Sequence, residues 1–174
     1  RSAPAAPVFI ADELRRWADQ AIALRHQAIT TVYAQAAPAG PGKRLRHPML
    51  ALRHGPRAPA QFVFDLDAIA ATAPPTGLLA FVISTSSNER AALQADVAAQ
   101  AQAQLGLAVT PLRTLTDRRA TFACTPALAR PAGQIAAGLL AAGDYIAGPY
   151  PATLEGAVRS GLQAAGALGH GRAL

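Results

Sequence analysis

The chain has 174 residues, 51% of them hydrophobic and 15% charged, about one domain's worth of polypeptide on a prior of roughly 150 residues each. That balance excludes a disordered acidic or basic tail, which would be poor in apolar residues, and the single cysteine, Cys124, excludes an internal disulfide or a thiolate zinc site. The net charge of +6, with 16 Lys and Arg against 10 Asp and Glu, makes nucleic acid or an anionic membrane surface a physically admissible partner. A composition that favours Arg over Lys is an equally plain source of that charge.

The longest apolar run, Ile135 to Gly143, covers nine residues, against about 20 for a membrane-spanning helix, so no segment is expected to cross a bilayer. The stretch from Arg1 to Pro7 has no apolar core of the kind a signal peptide needs, and the chain reads as a fragment or the remainder of a longer one. From Asp12, Leu14, Trp17, Ala18, Ala21 and Ile22 fall at the spacing of one buried helical face, with Asp12 as cap and Arg25 and His26 at the negative end of the dipole. Ala28 to Ala34 is β-branched and aromatic and reads as a strand. Pro38 to Gly42 reads as a loop.

Met49–Leu52 and Gln61–Leu66 flank the basic turn Arg53–Arg57, which predicts an antiparallel pair. After a second loop, Ala73 to Gly77, the uninterrupted apolar run Leu78–Ser84 predicts a central strand covered on both faces. Ser86 three residues before Glu89 has the form of a capping box, and Leu93, Val97, Ala101 and Leu105 recur every four residues up to a stop at Gly106. Val109–Phe122 alternates as a long strand. Gly138–Ala142 reads as a short strand ending at Gly143-Asp144, and a last helix from Thr153 aligns Leu154, Val158, Leu162 and Ala165 on one face. This order is neither strict βαβ alternation nor an all-β meander, so the fold class is α+β.

No GxGxxG, P-loop, HExxH, CxxC or GxSxG is present, so the chain by itself offers no recognisable nucleotide cradle, zinc site or nucleophile elbow. His26, His47, His54 and His170 have no metal-ligand spacing, and Cys124 has no neighbouring base. The informative segment is Gly143-Asp144 followed by the helix that starts near Thr153. Glycine permits close approach, the carboxylate of Asp144 can accept hydrogen bonds from polyol hydroxyls, and the amides of a helix N-terminus stabilise negative charge. Gly156 and Gly161 leave one side of that helix bare. A plain packing reading stands beside this one: Thr153 as N-cap, Glu155 as dipole partner, and glycines that merely let a neighbour approach.

Gly143-Asp144 with Pro151–Gly161, and upstream Arg118–Pro126, resembles the C-terminal portion of flavin amine-oxidase and phytoene-desaturase-like enzymes. The likeness is greatest to the squalene-associated FAD-dependent desaturases, or hydroxysqualene dehydroxylases, and extends to Ile29–Tyr33, Pro48–Leu52, Ala60–Asp65 and Leu78–Ser84. It implies a mixed-sheet substrate region with flanking helices over residues 1–132 and a C-terminal FAD-binding segment over 133–174, with the N-terminal Rossmann unit absent. By resemblance, Gly143, Asp144, Gly156, Ala157 and Val158 would contact FAD, which would be held only with the missing N-terminal polypeptide. The family usually continues Gly-Asp with Trp-Thr, whereas Tyr145-Ile146 stands here.

The implied reaction is reductive removal of a hydroxyl from a C30 isoprenoid alcohol, giving squalene for hopanoid synthesis, and the piece is expected to be inactive alone. Leu50, Phe62, Phe64, Phe81 and Ile83 would line an apolar tunnel, or form plain core. Arg118 and Arg119 could meet flavin or substrate, or lie on a solvated edge. The basic stretch from Lys43 to Arg57 could attract anionic lipid headgroups, consistent with a cytoplasmic protein working at the face of the inner membrane. The contrasting reading is a basic, non-catalytic module binding nucleic acid or an anionic surface. Aromatic residues, at 5%, are too few and too far from the arginines to serve as stacking platforms, which disfavours nucleic acid.

Overall fold

Alternating hydrophobicity in the middle of the chain builds a five-stranded antiparallel sheet, and the computed structural model describes it within residues 8–37, 44–71, 76–84 and 89–170. Four helices are described, α1 (Val8–Ile22), α2 (Leu66–Ala70), α3 (Arg90–Leu105) and α4 (Leu154–His170). The strands are β1 (His26–Ala36), β2 (Met49–Ala51), β3 (Phe62–Asp65), β4 (Leu78–Ser84), β5 (Val109–Phe122), β6 (Gln134–Ala136) and β7 (Leu139–Leu140). The α+β class follows directly. Two compact units divide the chain, residues 27–120 and residues 1–26 with 121–174, and the segment 133–174 lies within the second.

In the 27–120 unit the strand order is β2-β3-β4-β1-β5. The apolar run of β4 lies in the middle, as its sequence predicts, with Leu79, Ala80, Phe81 and Ile83 buried. Its partners are β1, with Val32 opposite Phe81, and β3, with Val63 opposite Phe81 on the other side. The hairpin reading of 49–66 also holds, since Leu50 pairs with Val63. The expected mixed sheet is corrected to an antiparallel one. Helix α3 does connect two strands that run the same way, β4 and β5, but β1 is inserted between them, so no hydrogen-bonded neighbours are parallel.

Register sorts the side chains, because residues directly opposite each other share a face. Val32, Ala34, Leu79, Phe81, Ile83, Val63 and the half-buried Leu50 form a core with Leu93, Val97 and Ala101 of α3. Met49, Phe62, Phe64, Ala80, Val82, Thr31 and Tyr33 belong to the opposite face. The residues read as one tunnel lining are therefore divided: Leu50, Phe81 and Ile83 are core, and Phe62 and Phe64 face the other way.

The helix α3 repeats every four residues as expected and ends at Gly106, which takes the left-handed conformation, φ 67°, that completes a C-cap. The capping box does not form as read. The first helical residue is Arg90, so Glu89 stands at the N-cap position with extended backbone, makes no side-chain cap bond, and cannot reach back as a third helical residue would. Ser86, the loop Pro38–Gly42 and positions 72–75 of the second loop lie outside the described residues.

In the other unit α1 starts four residues before Asp12, because the apolar Val8–Ala11 continues the helical pattern; Asp12 bonds Arg15 at 3.4 Å instead of capping. Its expected buried face is covered only in part, with Leu14 42% and Ile22 79% exposed. The indole of Trp17 donates to the Ala132 carbonyl at 2.7 Å and meets the Tyr145 ring edge-on at 6.2 Å. The short strand expected at 138–142 is β7, paired antiparallel with β6, a partner with too few apolar residues to be read as a strand.

Candidate functional site

The turn after β7 carries Gly143 and Asp144 to the first turns of α4. Ser160, buried within the helix, accepts from the Gly143 N–H at 2.8 Å, and its hydroxyl lies 3.0 Å from the Gly143 carbonyl and 2.8 Å from that of Ala157. The Ala152 N–H donates to the Asp144 carbonyl at 3.3 Å. Beyond the turn, Ile146 is buried, and the Arg130 guanidinium donates to the carbonyls of Ile146, at 2.8 Å, and Gly148. The backbone of 143–152 is thus pinned at both ends and along its length. Ser160, Arg130 and Tyr145 were not read from the sequence as parts of this site. The one signal was a serine inside a helix of small residues, where a hydroxyl can bond both the preceding turn and a neighbour.

Thr153 caps α4 as expected: its hydroxyl accepts from the Gly156 N–H at 3.0 Å and donates to the Tyr150 carbonyl at 2.7 Å. Tyr150 and Ala152, on either side of Pro151, both take left-handed φ near 58° and 56°, which folds the loop back on the helix. The close approach explains Gly156, because a Cβ there would collide with the Tyr150 carbonyl oxygen.

Of the five residues read as cofactor contacts, Gly143 and Asp144 are brought to the start of α4, and Gly156, Ala157 and Val158 lie inside it. The N–H of Gly156 is taken by Thr153 Oγ1 and that of Ala157 by the Thr153 carbonyl, at 3.1 Å. The amides at this terminus with no partner among the described residues belong to Leu154 and Glu155. The Glu155 carboxylate is held by Arg159 at 2.5 Å, and the Arg159 guanidinium lies 5.1 Å from the Tyr150 ring centroid. Asp144 is half-buried, and its carboxylate has no hydrogen bond or ion pair among the described residues. These groups suit the polar end of a flavin: an acceptor for its polyol, and two donors beside it for a negative charge. A cavity of about 260 Å³ has Ser160 in its wall, with Gln134, Leu140, Ile146, Gln163 and Ala164; Asp144 does not line it.

The face of α4 on which the sequence aligns Leu154, Val158 and Leu162 is an exposed one. Leu154, Val158 and Leu162 are 87%, 59% and 69% exposed, because the inward side is Gly156 and Ser160 and the loop packs directly on them.

The unit 27–120 holds the most strongly perturbed group. Arg44, buried, contacts Asp67 at 3.3 Å and Asp65 at 3.8 Å, while Asp65 also caps α2 through the Ala68 N–H at 3.2 Å. Asp67 accepts from Thr76 Oγ1 at 2.7 Å and from the Gly77 N–H at 2.6 Å. Burial pushes its carboxyl up, but the bonds from Thr76, Gly77 and Arg44 outweigh that and hold it down at about 2. Both oxygens of the Asp67 carboxylate are engaged, so this cluster clamps loops and offers no reactive acid. Its Arg44 Nε is buried without a partner.

In the basic turn Arg57 pairs with Asp96 at 3.4 Å, and the backbone of Arg53 is held by Gln104, which accepts from its N–H at 2.9 Å and donates to its carbonyl at 2.7 Å. Arg118 and Arg119 are exposed on β5. Among the described residues no group of His, Cys, Asp and Glu could hold a metal ion, and no helix is long and apolar enough to cross a membrane. No protein-family model matches the chain, and no curated protein sequence matches it.

Proposed function

We propose that residues 143–155 form one wall of an FAD site, and that the chain is the C-terminal part of an FAD-dependent oxidoreductase that removes a hydroxyl from a C30 isoprenoid. The observation that carries this reading is the half-buried, unpartnered carboxylate of Asp144, bonded through its own backbone to the start of a helix whose Leu154 and Glu155 amides are also unpartnered. The two buried carboxylates of the 27–120 unit, Asp65 and Asp67, are both engaged by Arg44 and by backbone donors. FAD, when bound in its reduced form, would supply the hydride that replaces the hydroxyl, which leaves as water after protonation. Asp144 would accept from polyol hydroxyls, and the Leu154 and Glu155 amides would donate to anionic oxygen. These donors lie one to four residues before the Gly156, Ala157 and Val158 named by resemblance.

An apolar substrate is favoured by the sheet face that carries Met49, Phe62 and Phe64, where Met49 is 51% and Phe62 40% exposed. The exposed leucine stripe of α4 is consistent with a further polypeptide that contributes the glycine-rich nucleotide unit missing from this sequence. A second reading, attachment to an anionic surface, draws on the exposed Arg113, Arg118 and Arg119 of β5.

Co-expression with the polypeptide encoded immediately upstream tests the leading reading. A yellow complex with flavin absorbance is expected, and Asp144→Ala should lower its flavin content with the circular dichroism unchanged. A colourless complex whose melting temperature ignores added FAD refutes it. Salt-dependent retention of the chain on anionic vesicles, with no flavin, is the result expected of the second.

A further inference from the structure

A buried arginine in the 27–120 unit uses only part of its guanidinium. The side chain of Arg44 is 6% exposed, and its ion pairs, to Asp67 at 3.3 Å and to Asp65 at 3.8 Å, both run through Nη1. The other two nitrogens have no partner among the described residues, and Nε is fully buried. A guanidinium offers five N–H donors and accepts nothing, and leaving buried donors of a charged group unbonded is costly, so the unused side of Arg44 calls for an acceptor. The nearby carboxylates are already committed. Asp67 also serves Thr76 and Gly77, and Asp65 also caps α2.

Arg44 stands in the wall of a cavity of about 300 Å³, near the lower bound of small-molecule sites. Arg46 and His47 line the same cavity, and neither makes a hydrogen bond or ion pair among the described residues. The amide of Gln104, also in the wall, is held at both ends by the Arg53 backbone. Among the described residues no Asp or Glu lines the cavity, and the rest of its wall is Leu45, Leu50 and Leu105. A helix C-terminus, here that of α3 at Leu105, disfavours anions, but the Ala101 and Gln102 carbonyls at this end are already bonded by the Leu107 and Gly106 N–H groups.

We infer that this cavity binds a small amphiphilic oxyanion, an alkyl carboxylate or alkyl phosphate, with its head group among Arg44, Arg46 and His47 and its chain on the three leucines. A neutral alkyl compound would leave the basic side chains without an acceptor, and a bare inorganic ion would leave the leucines in water. The site lies in a different unit from Asp144 and does not rest on the flavin reading.

The test uses the full chain, with octanoate as the probe. Calorimetry should show saturable binding of one equivalent, with octyl phosphate competing for the same site. Octanol and acetate should each bind at least about tenfold more weakly, since the first lacks the charge and the second the chain. Arg46→Gln combined with His47→Gln, both exposed positions, should weaken octanoate binding about tenfold with the circular dichroism unchanged. Arg44 is kept, because its loss would strand Asp65 and Asp67; its Nε–H signal in a proton–nitrogen correlation spectrum should instead shift as octanoate saturates the site. A titration that does not saturate, octanol or acetate binding as tightly as octanoate, an affinity indifferent to the double substitution, or a stationary Arg44 Nε–H signal overturns the inference. So does retention on phosphatidylserine vesicles by a chain that does not bind free octanoate.

Discussion

Replacing Asp67 by Asn removes the charge from the carboxyl that anchors Arg44, Thr76 and Gly77, and its effect can be worked out from the depressed acidity of that group. The carboxyl is held at about 2 against an ordinary value of 3.8, and a shift of one unit is worth about 1.4 kcal/mol, so its ionisation contributes about 2 kcal/mol to folding. The folded value is the lower one. The contribution is therefore complete above pH of about 4, where the unfolded carboxyl is also ionised, and is lost as pH falls from about 4 to 2. Urea unfolding of the native chain and of Asp67→Asn should differ by about 2 kcal/mol at pH 7, and the difference should shrink steadily below pH of about 4 until it nearly vanishes. Asp67→Ala should cost more, about 3 to 5 kcal/mol at pH 7, because it strands the buried Arg44 with only Asp65 at 3.8 Å. If the two stability curves run parallel through the acid range, the cluster does not couple to folding and the reasoning is wrong.

The helix glycines predict effects of opposite sign: Gly156→Ala should destabilise by about 1 to 2 kcal/mol through collision with the Tyr150 carbonyl, whereas Gly161→Ala, with nothing near its Cβ, should stabilise by roughly 0.5 to 1 kcal/mol in thermal unfolding. Gln100, 2% exposed, accepts from the Ala60 N–H and donates to the carbonyls of Ala60 and Arg53. Its replacement by Ala should cost about 3 kcal/mol in chemical denaturation, and the more exposed Gln104→Ala about 1 kcal/mol. Phe81→Ala should cost about 4 kcal/mol and Phe62→Ala about 1 kcal/mol, because the first is fully buried and the second 40% exposed; equal losses would contradict the division of the two phenylalanines between faces.

What the sequence made legible is what local pattern can carry. The long strand 109–122 and the hairpin 49–66 alternate or turn within a few residues, and the α3 repeat of Leu93, Val97 and Ala101 marks one face without reference to anything else. Burial of that face required a second fact, the sheet it packs on. The same periodicity in α4 aligned Leu154, Val158 and Leu162, yet here the loop around Tyr150 occupies the other side, and a helical wheel does not say which side a neighbour takes. The tunnel residues were misjoined for a related reason. Alternation orders the faces within one strand, but only register relates one strand to the next, and it sets Phe62 opposite Val82, not beside Phe81. The Arg44–Asp65–Asp67–Thr76 cluster joins positions on separate segments, each of which looked like an ordinary polar residue of a loop or turn.

Chains that specify one structure tend to satisfy local propensity, packing and polar pairing together, and depart from that agreement where something else is selected. Here polar pairing is thorough where the backbone must be positioned: Gln100 and Gln104 serve the turn at Arg53, Arg130 the carbonyls at Ile146 and Gly148, and Ser160 both polar groups of Gly143. Departures occur in both units, as at the buried, unpartnered Arg44 Nε and the exposed Leu112, but several kinds meet on one helix–turn unit. Asp144 keeps a half-buried carboxylate unspent, Leu154 and Glu155 keep their amides, and the leucine stripe of α4 stays in water, although a few polar substitutions would have removed the apolar exposure. Their meeting at a turn whose backbone is otherwise closely tied is a physical reason to read that turn as a binding wall, and to make Asp144, whose carbonyl accepts from Ala152 and whose neighbour Gly143 is held by Ser160, the first residue to change.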